Sequence, residues 1–175
     1  MPDRPSTSDA AIEVIPYDPA WPAKFAHERE ILKALLAQWL VADIEHVGST
    51  AVPGLVAKPV IDILAPVESL EVSRDLIQIV KAAGYMYYPY KAEEMHWFCK
   101  PSPAHRTHHL HVVPRDSALW RENLAFRDAL RRDHELAANY GRLKLELAQR
   151  FRHDREAYTA AKASFIRSVI DAQSE

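Results

Sequence analysis

From Trp21 to Trp39 the apolar residues Phe25, Ile31, Leu32, Leu35, Leu36 and Trp39 follow helical spacing, with Pro22 in the first turn where its missing N–H costs nothing, so the pattern predicts a helix. Val60 to Val67 reads differently. It is apolar at nearly every position and broken by Asp62, the pattern of a central strand covered on both faces. Ile44 to Val47 predicts a brief strand, and Ile12 to Ile15 a short edge strand that Pro16 ends. Leu70 to Ala83 predicts a helix terminated by Gly84. Met95 to Lys100 and Thr107 to Val113 read as an antiparallel pair joined by the loop from Pro101 to Arg106. Three helices follow, Ser117 to Arg131, His134 to Phe151 and Asp154 to Ala172. This order predicts an α/β (α+β) fold, a mixed sheet flanked by helices with a C-terminal helical cap, in a single domain over residues 11–175. Residues 1–10, rich in Pro, Ser, Thr and Asp, read as a disordered tail.

Composition narrows the classes. A length of 175 residues suits one domain with a core of its own. A formal charge of −2 carries no basic excess, so extended nucleic-acid binding is not expected. The single cysteine, Cys99, rules out a disulfide framework and a cysteine-based zinc knuckle, which fits a reducing compartment. No signal-peptide pattern opens the chain, and Asp62 and Glu68 interrupt its longest apolar stretch, so the expectation is a cytoplasmic protein without a membrane partner.

Asp62 is the point where pattern becomes chemistry. An ionised carboxylate in an apolar strand costs several kcal/mol unless a metal, a base or a cluster of donors compensates it. Gly48-Ser49 follows a strand, where glycine permits a tight turn and the serine hydroxyl with nearby N–H groups can hold a phosphate oxygen. Such a turn alone is common. Its weight comes from Asp62 on the expected neighbouring strand and from Lys58 between them, in a loop pinned by Pro53, Gly54 and Pro59. His46 and Thr50 bracket the turn and join it as candidate ligand contacts.

Histidines supply the second constellation. In a strand alternate side chains share a face, so His109 and His111 point one way, while His108 and Leu110 point the other. Pairing across the Pro101 to Arg106 loop would set His96 opposite His111. Asp62, His109, His111 and His96 then form a candidate metal site of imidazoles and a carboxylate, better suited to Zn, Mn or Fe than to an all-oxygen magnesium cage. The plain alternative is a histidine-rich strand bonded to neighbouring carbonyls, the reading given to His105 and His108. A histidine-triad hydrolase would need histidine where Val113 stands, and a two-histidine phosphoesterase would need Ser or Thr there.

A third constellation lies in the helical cap: Arg127, Tyr140 with Lys144, and Tyr158 with Lys162, each Tyr-to-Lys offset of four placing both side chains on one helical face. Arg127 and Lys144 can clamp a triphosphate or another anion, or they can belong to a solvated face of ion pairs. Phe126, Leu130, Leu143 and Leu147 read as core.

These residues together resemble the GrpB family, an uncharacterised protein family found alone or fused to dephospho-CoA kinase. The likeness runs from Val14 to Ile166, through Tyr17-Asp18-Pro19 with Trp21, Glu45 to Leu55, Ala57 to Ile63, His109-Leu110-His111-Val112, Phe126-Arg127-Asp128 and the Tyr140/Lys144 pair. The resemblance implies a nucleotidyltransferase (polymerase β-like) fold, with Gly48 and Ser49 at phosphate and Asp62 on a divalent cation, Mg, Mn or Zn. It also implies a departure: members of that superfamily carry a second carboxylate two positions on, where this chain has Leu64. His109 or His111 stands in for a later carboxylate. Kinase activity does not carry over, because the chain has no Gly-x-x-x-x-Gly-Lys-Ser/Thr loop.

The expectation is therefore a nucleotidyltransferase-like protein that binds a nucleotide or phosphorylated small molecule, with Asp62, Lys58 and Arg127 as the catalytic set and Gly48, Ser49, Thr50, His46 and Lys144 holding the ligand. A non-catalytic module binding a nucleotide or coenzyme A precursor, and a His/Asp metal-dependent phosphoesterase, are the alternatives. An exposed apolar face on the C-terminal helices would serve a homodimer.

Overall fold

Helix α1 (Trp21–Leu36) buries Trp21, Phe25, Leu32 and Leu36 along one stripe, and Glu28 lies within that stripe. It stops short of Trp39 because Leu40 leaves to bridge Val67. The computed structural model describes residues 10–174, so most of the expected N-terminal tail lies outside the described residues. Five strands follow: β1 (Glu45–Val47), β2 (Ile61–Val67), β3 (Met86–Tyr88), β4 (His96–Pro101) and β5 (Arg106–Pro114). They form one mixed sheet in the order β1-β2-β5-β4-β3, with β2 and β5 parallel and the other neighbours antiparallel. The mixed α/β architecture matches the expected class.

Smaller elements depart from the sequence pattern. The edge strand expected at Ile12 to Ile15 reduces to one bridge from Ile15 to Ala57. Helix α2 (Leu76–Ala82) begins later than expected, after a run of turns, and Gly84 at φ 95° ends it. The three-residue β3 was not expected at all. In the cap, α3 (Ala118–Arg132), α4 (His134–Arg150) and α5 (Arg155–Ala172) start where Ser117, Asp133 and Asp154 accept backbone N–H groups as N-caps.

The two faces of the sheet are covered by different layers. Ile61, Ile63, Ala65, Leu110, Val112 and Phe98 share a core with α1 and α2. On the other face, Val47, Leu64, Trp97, Cys99 and Val113 pack against Leu119, Trp120 and Leu124 of α3. The loop between β1 and β2 inserts Val52 and Leu55 against Leu130, Ala137 and Tyr140 of the cap. Asp62 shares a face with Leu64 by the strand alternation, so it looks toward this loop and the cap rather than into the α1 and α2 core. No helix among the described residues is long and apolar enough to cross a membrane.

Candidate metal and phosphate site

Gly48 leaves β1 at φ 73°, and a Cβ there would stand 2.5 Å from Asp62 Oδ2. Only glycine lets the turn approach the carboxylate that closely while holding a positive φ. Ser49–Ala51 then form a single 3-10 turn. Thr50, buried within it, donates its one hydroxyl proton to the Val60 carbonyl at 3.1 Å. It must therefore accept from His46 Nε2, 2.9 Å away, which makes His46 the Nε2–H tautomer. His46 stacks on Phe25 at 4.6 Å. Burial, against the pull of Asp62, pushes its ring down to about 4. This corrects the expectation for both residues: His46 faces α1, away from Asp62, and with Thr50 it braces the turn instead of touching a ligand.

Asp62 pairs with His109 in the parallel register of β2 and β5, and Leu64 with His111. Alternation therefore puts Asp62, His109 and His111 on one face. His109 Nδ1 lies 3.1 Å and His111 Nε2 3.5 Å from Asp62 Oδ1, and one donor atom from each of the three falls within 4.8 Å of the others. Burial pushes the Asp62 carboxyl up, but the hydrogen bonds from His109 and His111 outweigh it and hold the group well below the usual carboxylate range. His109 is pulled below the ordinary imidazole value by burial, although its bond to Asp62 opposes this. Among the described residues its buried Nε2 has no hydrogen-bond partner. A proton moved from Nδ1 to Nε2 gives up the bond to Asp62 and frees Nδ1 to act as a ligand. Tetrahedral zinc with bonds of about 2.1 Å has ligand-to-ligand edges of about 3.4 Å. The 3.1 and 3.5 Å separations fit that geometry, and the donor set of two imidazoles and one carboxylate suits Zn, Mn or Fe.

His96 does not join them. The expected pairing with His111 is off by one: Trp97 faces His111, and His96 faces Val112. The register shifts at Lys100/Pro101, where Pro101 pairs Arg106 but Lys100 pairs His108, and the extra residue turns the rest of β4 over. His96 is buried on the opposite face, with Nε2 3.1 Å from the Leu70 carbonyl and 3.3 Å from Ser73 Oγ.

The cap residues divide into those that hold the loop and those that gather beside it. Arg127 bonds Glu45 at 2.6 Å, Asp128 at 2.8 Å and the His46 carbonyl at 3.1 Å. It is a buried positioning residue that ties α3 to β1, which corrects its expected place in the catalytic set. Arg131 holds the Ala51 carbonyl at 2.8 Å, and Lys144 donates to the Val56 carbonyl. Gly141 brings α4 against the same loop, where a Cβ would meet Val56 at 3.2 Å.

Lys144 is 2 % exposed and lies 4.9 Å from the Tyr140 ring centre. Tyr140 bonds Ser49, and burial pushes its hydroxyl above the usual range. Lys58 and Lys162 both sit over the Tyr158 ring, at 5.1 and 4.4 Å. Burial first, then the neighbouring lysines, pull Lys144 down to about 6 and Lys162 to about 8, while Asp62 raises both. The Tyr158/Lys162 pair belongs to the cap constellation but lies outside the ligand set expected from the sequence. Its four-residue offset, matching that of Tyr140/Lys144, was the available signal.

Residues 11–172 match the family profile described as GrpB protein. The chain belongs to the GrpB family. A UPF0157 protein of Pseudomonas aeruginosa is 40% identical over 169 residues, covering 94% of this chain and 69% of that protein. The glutamate-rich protein GrpB of Alkalihalophilus pseudofirmus is 33% identical over 156 residues, covering 86% of this chain and 89% of its own length. The crystal structure of the conserved protein GrpB from Enterococcus faecalis superposes with a TM-score of 0.83 at 35% identity, covering 91% of this chain and 96% of that one. The GrpB fold of this chain, a mixed sheet with a helical cap, is consistent with the nucleotidyltransferase-like class expected for it.

Proposed function

We propose that the chain binds a nucleoside triphosphate, or a related phosphorylated small molecule, together with a divalent metal held by Asp62, His109 and His111, and transfers a nucleotidyl group from it. The observation that carries this reading is the approach of the Gly48 turn to Asp62 Oδ2 on the strand face that bears His109 and His111. When bound, the metal supplies charge neutralisation and polarises phosphoryl oxygens. Gly48 and Ser49 offer backbone N–H groups and a hydroxyl to a phosphate oxygen. Lys58 supplies positive charge toward the departing phosphates. An acceptor's nucleophilic oxygen forms the new bond to the α-phosphorus. Pyrophosphate leaves with the electrons of the broken P–O bond, and the acceptor's proton passes to solvent.

One observation favours a second reading, a binding module without turnover. Leu64, fully buried, fills the position two residues after Asp62 where a second carboxylate would share the metals. A thermal-shift panel of nucleoside triphosphates, each with and without Mg, Mn or Zn, separates the two on the wild type and Asp62→Asn. A ligand at about 100 times its dissociation constant adds roughly 2.7 kcal/mol. A metal-dependent shift lost in Asp62→Asn, with pyrophosphate released, supports transfer. A shift needing neither metal nor Asp62 supports the module, and no shift with any nucleotide overturns both.

A further inference from the structure

In the sheet order β1-β2-β5-β4-β3, Asp62 of β2 has the Gly48 turn on its β1 side and His109 and His111 of β5 on the other. Beyond the histidines, on the same face, the register continues through β4 to β3: Trp97 lies opposite His111, and Tyr88 opposite Trp97. The Gly48 turn and these aromatic residues therefore flank the three candidate metal ligands from opposite sides. Trp97 lies 5.2 Å from the His109 ring centre, 6.1 Å from Tyr88 and 6.2 Å from Tyr90, and the Arg106 guanidinium covers it at 5.3 Å. Trp97 is buried, whereas Tyr90, at the outer end of the series, is 53 % exposed. An exposed tyrosine is ordinary by itself. What sets Tyr90 apart is the backbone that holds it. Its N–H donates to the Tyr88 carbonyl at 2.7 Å, and Lys91, next in the chain, sits at φ 46°, in the left-handed region that side chains other than glycine rarely take. The Lys91 carbonyl then accepts from the N–H groups of Glu94 and Met95, at 2.8 and 3.0 Å, which closes the turn. The turn keeps Tyr90 beside Trp97 and more than half in solvent, so little burial offsets the strain.

We propose that Tyr90, backed by Trp97, is the platform on which the base of the nucleotide stacks, so that the ligand lies across the sheet with its phosphates toward the Gly48 turn and its base over the outer end of β4. The inference rests on the nucleotide reading above and assigns the end of the ligand that reading leaves open. It requires no turnover. Two ring-to-ring steps of 5.2 and 6.2 Å lead from His109 through Trp97 to Tyr90, a span that a ribose can bridge. The polarity follows from the topology, because the groups offered to phosphate come from the β1 side of Asp62 and the aromatic rings from the β4 and β3 side. Stacking on a ring accepts any base, since each presents a π face, so the platform gives affinity for the nucleoside without strong choice among bases.

Calorimetric titration of ATP and of inorganic tripolyphosphate into the full chain, each with manganese, separates the base from the phosphates. Tyr90→Ala is expected to lose roughly tenfold in ATP affinity, the loss for one base no longer stacked on an aromatic ring, and to keep its tripolyphosphate affinity within about twofold of wild type. Tyr90→Phe keeps wild-type affinity for both ligands, because the ring and not the hydroxyl makes the contact. ATP affinity in Tyr90→Ala within about twofold of wild type would overturn the platform. So would a parallel loss of ATP and tripolyphosphate binding, which assigns Tyr90 to the fold, or a loss in Tyr90→Phe equal to that in Tyr90→Ala. A wild type that binds tripolyphosphate but not ATP would overturn the platform alone, whereas one that binds neither would overturn the phosphate reading and the platform with it.

Discussion

Each face of the sheet carries a poorly solvated carboxylate, and the two are satisfied in opposite ways. Under α1, Glu28 accepts from the Tyr85 hydroxyl and from Lys100 Nζ, both at 2.6 Å, and Lys100 also covers the Tyr85 ring at 4.8 Å. Burial pushes Glu28 up, but those two bonds hold it below its ordinary value, and Tyr85 is pushed far above its own by burial and by Glu28. One anion meets one cation and one hydroxyl, and the network closes. Around Asp62 the count does not close: among the described residues His109 Nε2 and the Tyr158 hydroxyl are buried without hydrogen-bond partners, and burial pulls the amines of Lys144 and Lys162 below their ordinary value. A closed buried network serves the fold, whereas an open one keeps capacity for something the chain itself does not supply.

Breaking the closed side gives the largest stability effect. Lys100→Met leaves Glu28, 5 % exposed, without its cation and should cost about 3 kcal/mol in a denaturant melt. Acid attacks the brace of the turn. Folded His46 resists protonation down to about 4, while the unfolded chain takes up the proton near its ordinary 6.5. Stability therefore falls as pH drops through that window, by roughly 3 kcal/mol in total, and His46→Gln should flatten the profile measured by urea melts at fixed pH. Gly48→Ala strains a positive φ and drives a methyl against Asp62, which should cost about 2 kcal/mol together with metal binding. The open side should respond least in stability: metal-free His111→Ala is expected to stay within about 1 kcal/mol of wild type, since His111 is partly exposed and Asp62 keeps its shorter bond from His109. A large destabilisation there would erase the contrast between the two faces.

The helices of the cap were legible because their apolar stripes and N-caps are local signals, and they emerged within a residue or two of expectation. The union of Asp62, His109 and His111 was legible for the same reason, since strand alternation fixes a shared face once two strands are neighbours. What failed was register and distance. The irregularity at Lys100/Pro101 has no strong local signature, yet it moved His96 to the other face. Glu28, Tyr85 and Lys100 are separated by 57 and 72 residues and meet through the packing of α1 on the sheet, which no spacing encodes. Arg127 and Lys144, expected to clamp an anion or to lie on a solvated face of ion pairs, bond carbonyls and a carboxylate of the β1 segment and its loop, and Arg127 also bonds Asp128, partners visible only after folding. Lys162 comes to Lys58 only through the docking of α5.

The most direct test of the open site is a zinc titration monitored by calorimetry with a competing chelator, on wild type, Asp62→Asn, His109→Ala and His96→Ala. The account predicts one zinc per chain, an affinity roughly a hundredfold weaker in Asp62→Asn and His109→Ala, and no change in His96→Ala. Zinc binding that is indifferent to Asp62 and His109, or that depends on His96, would contradict it.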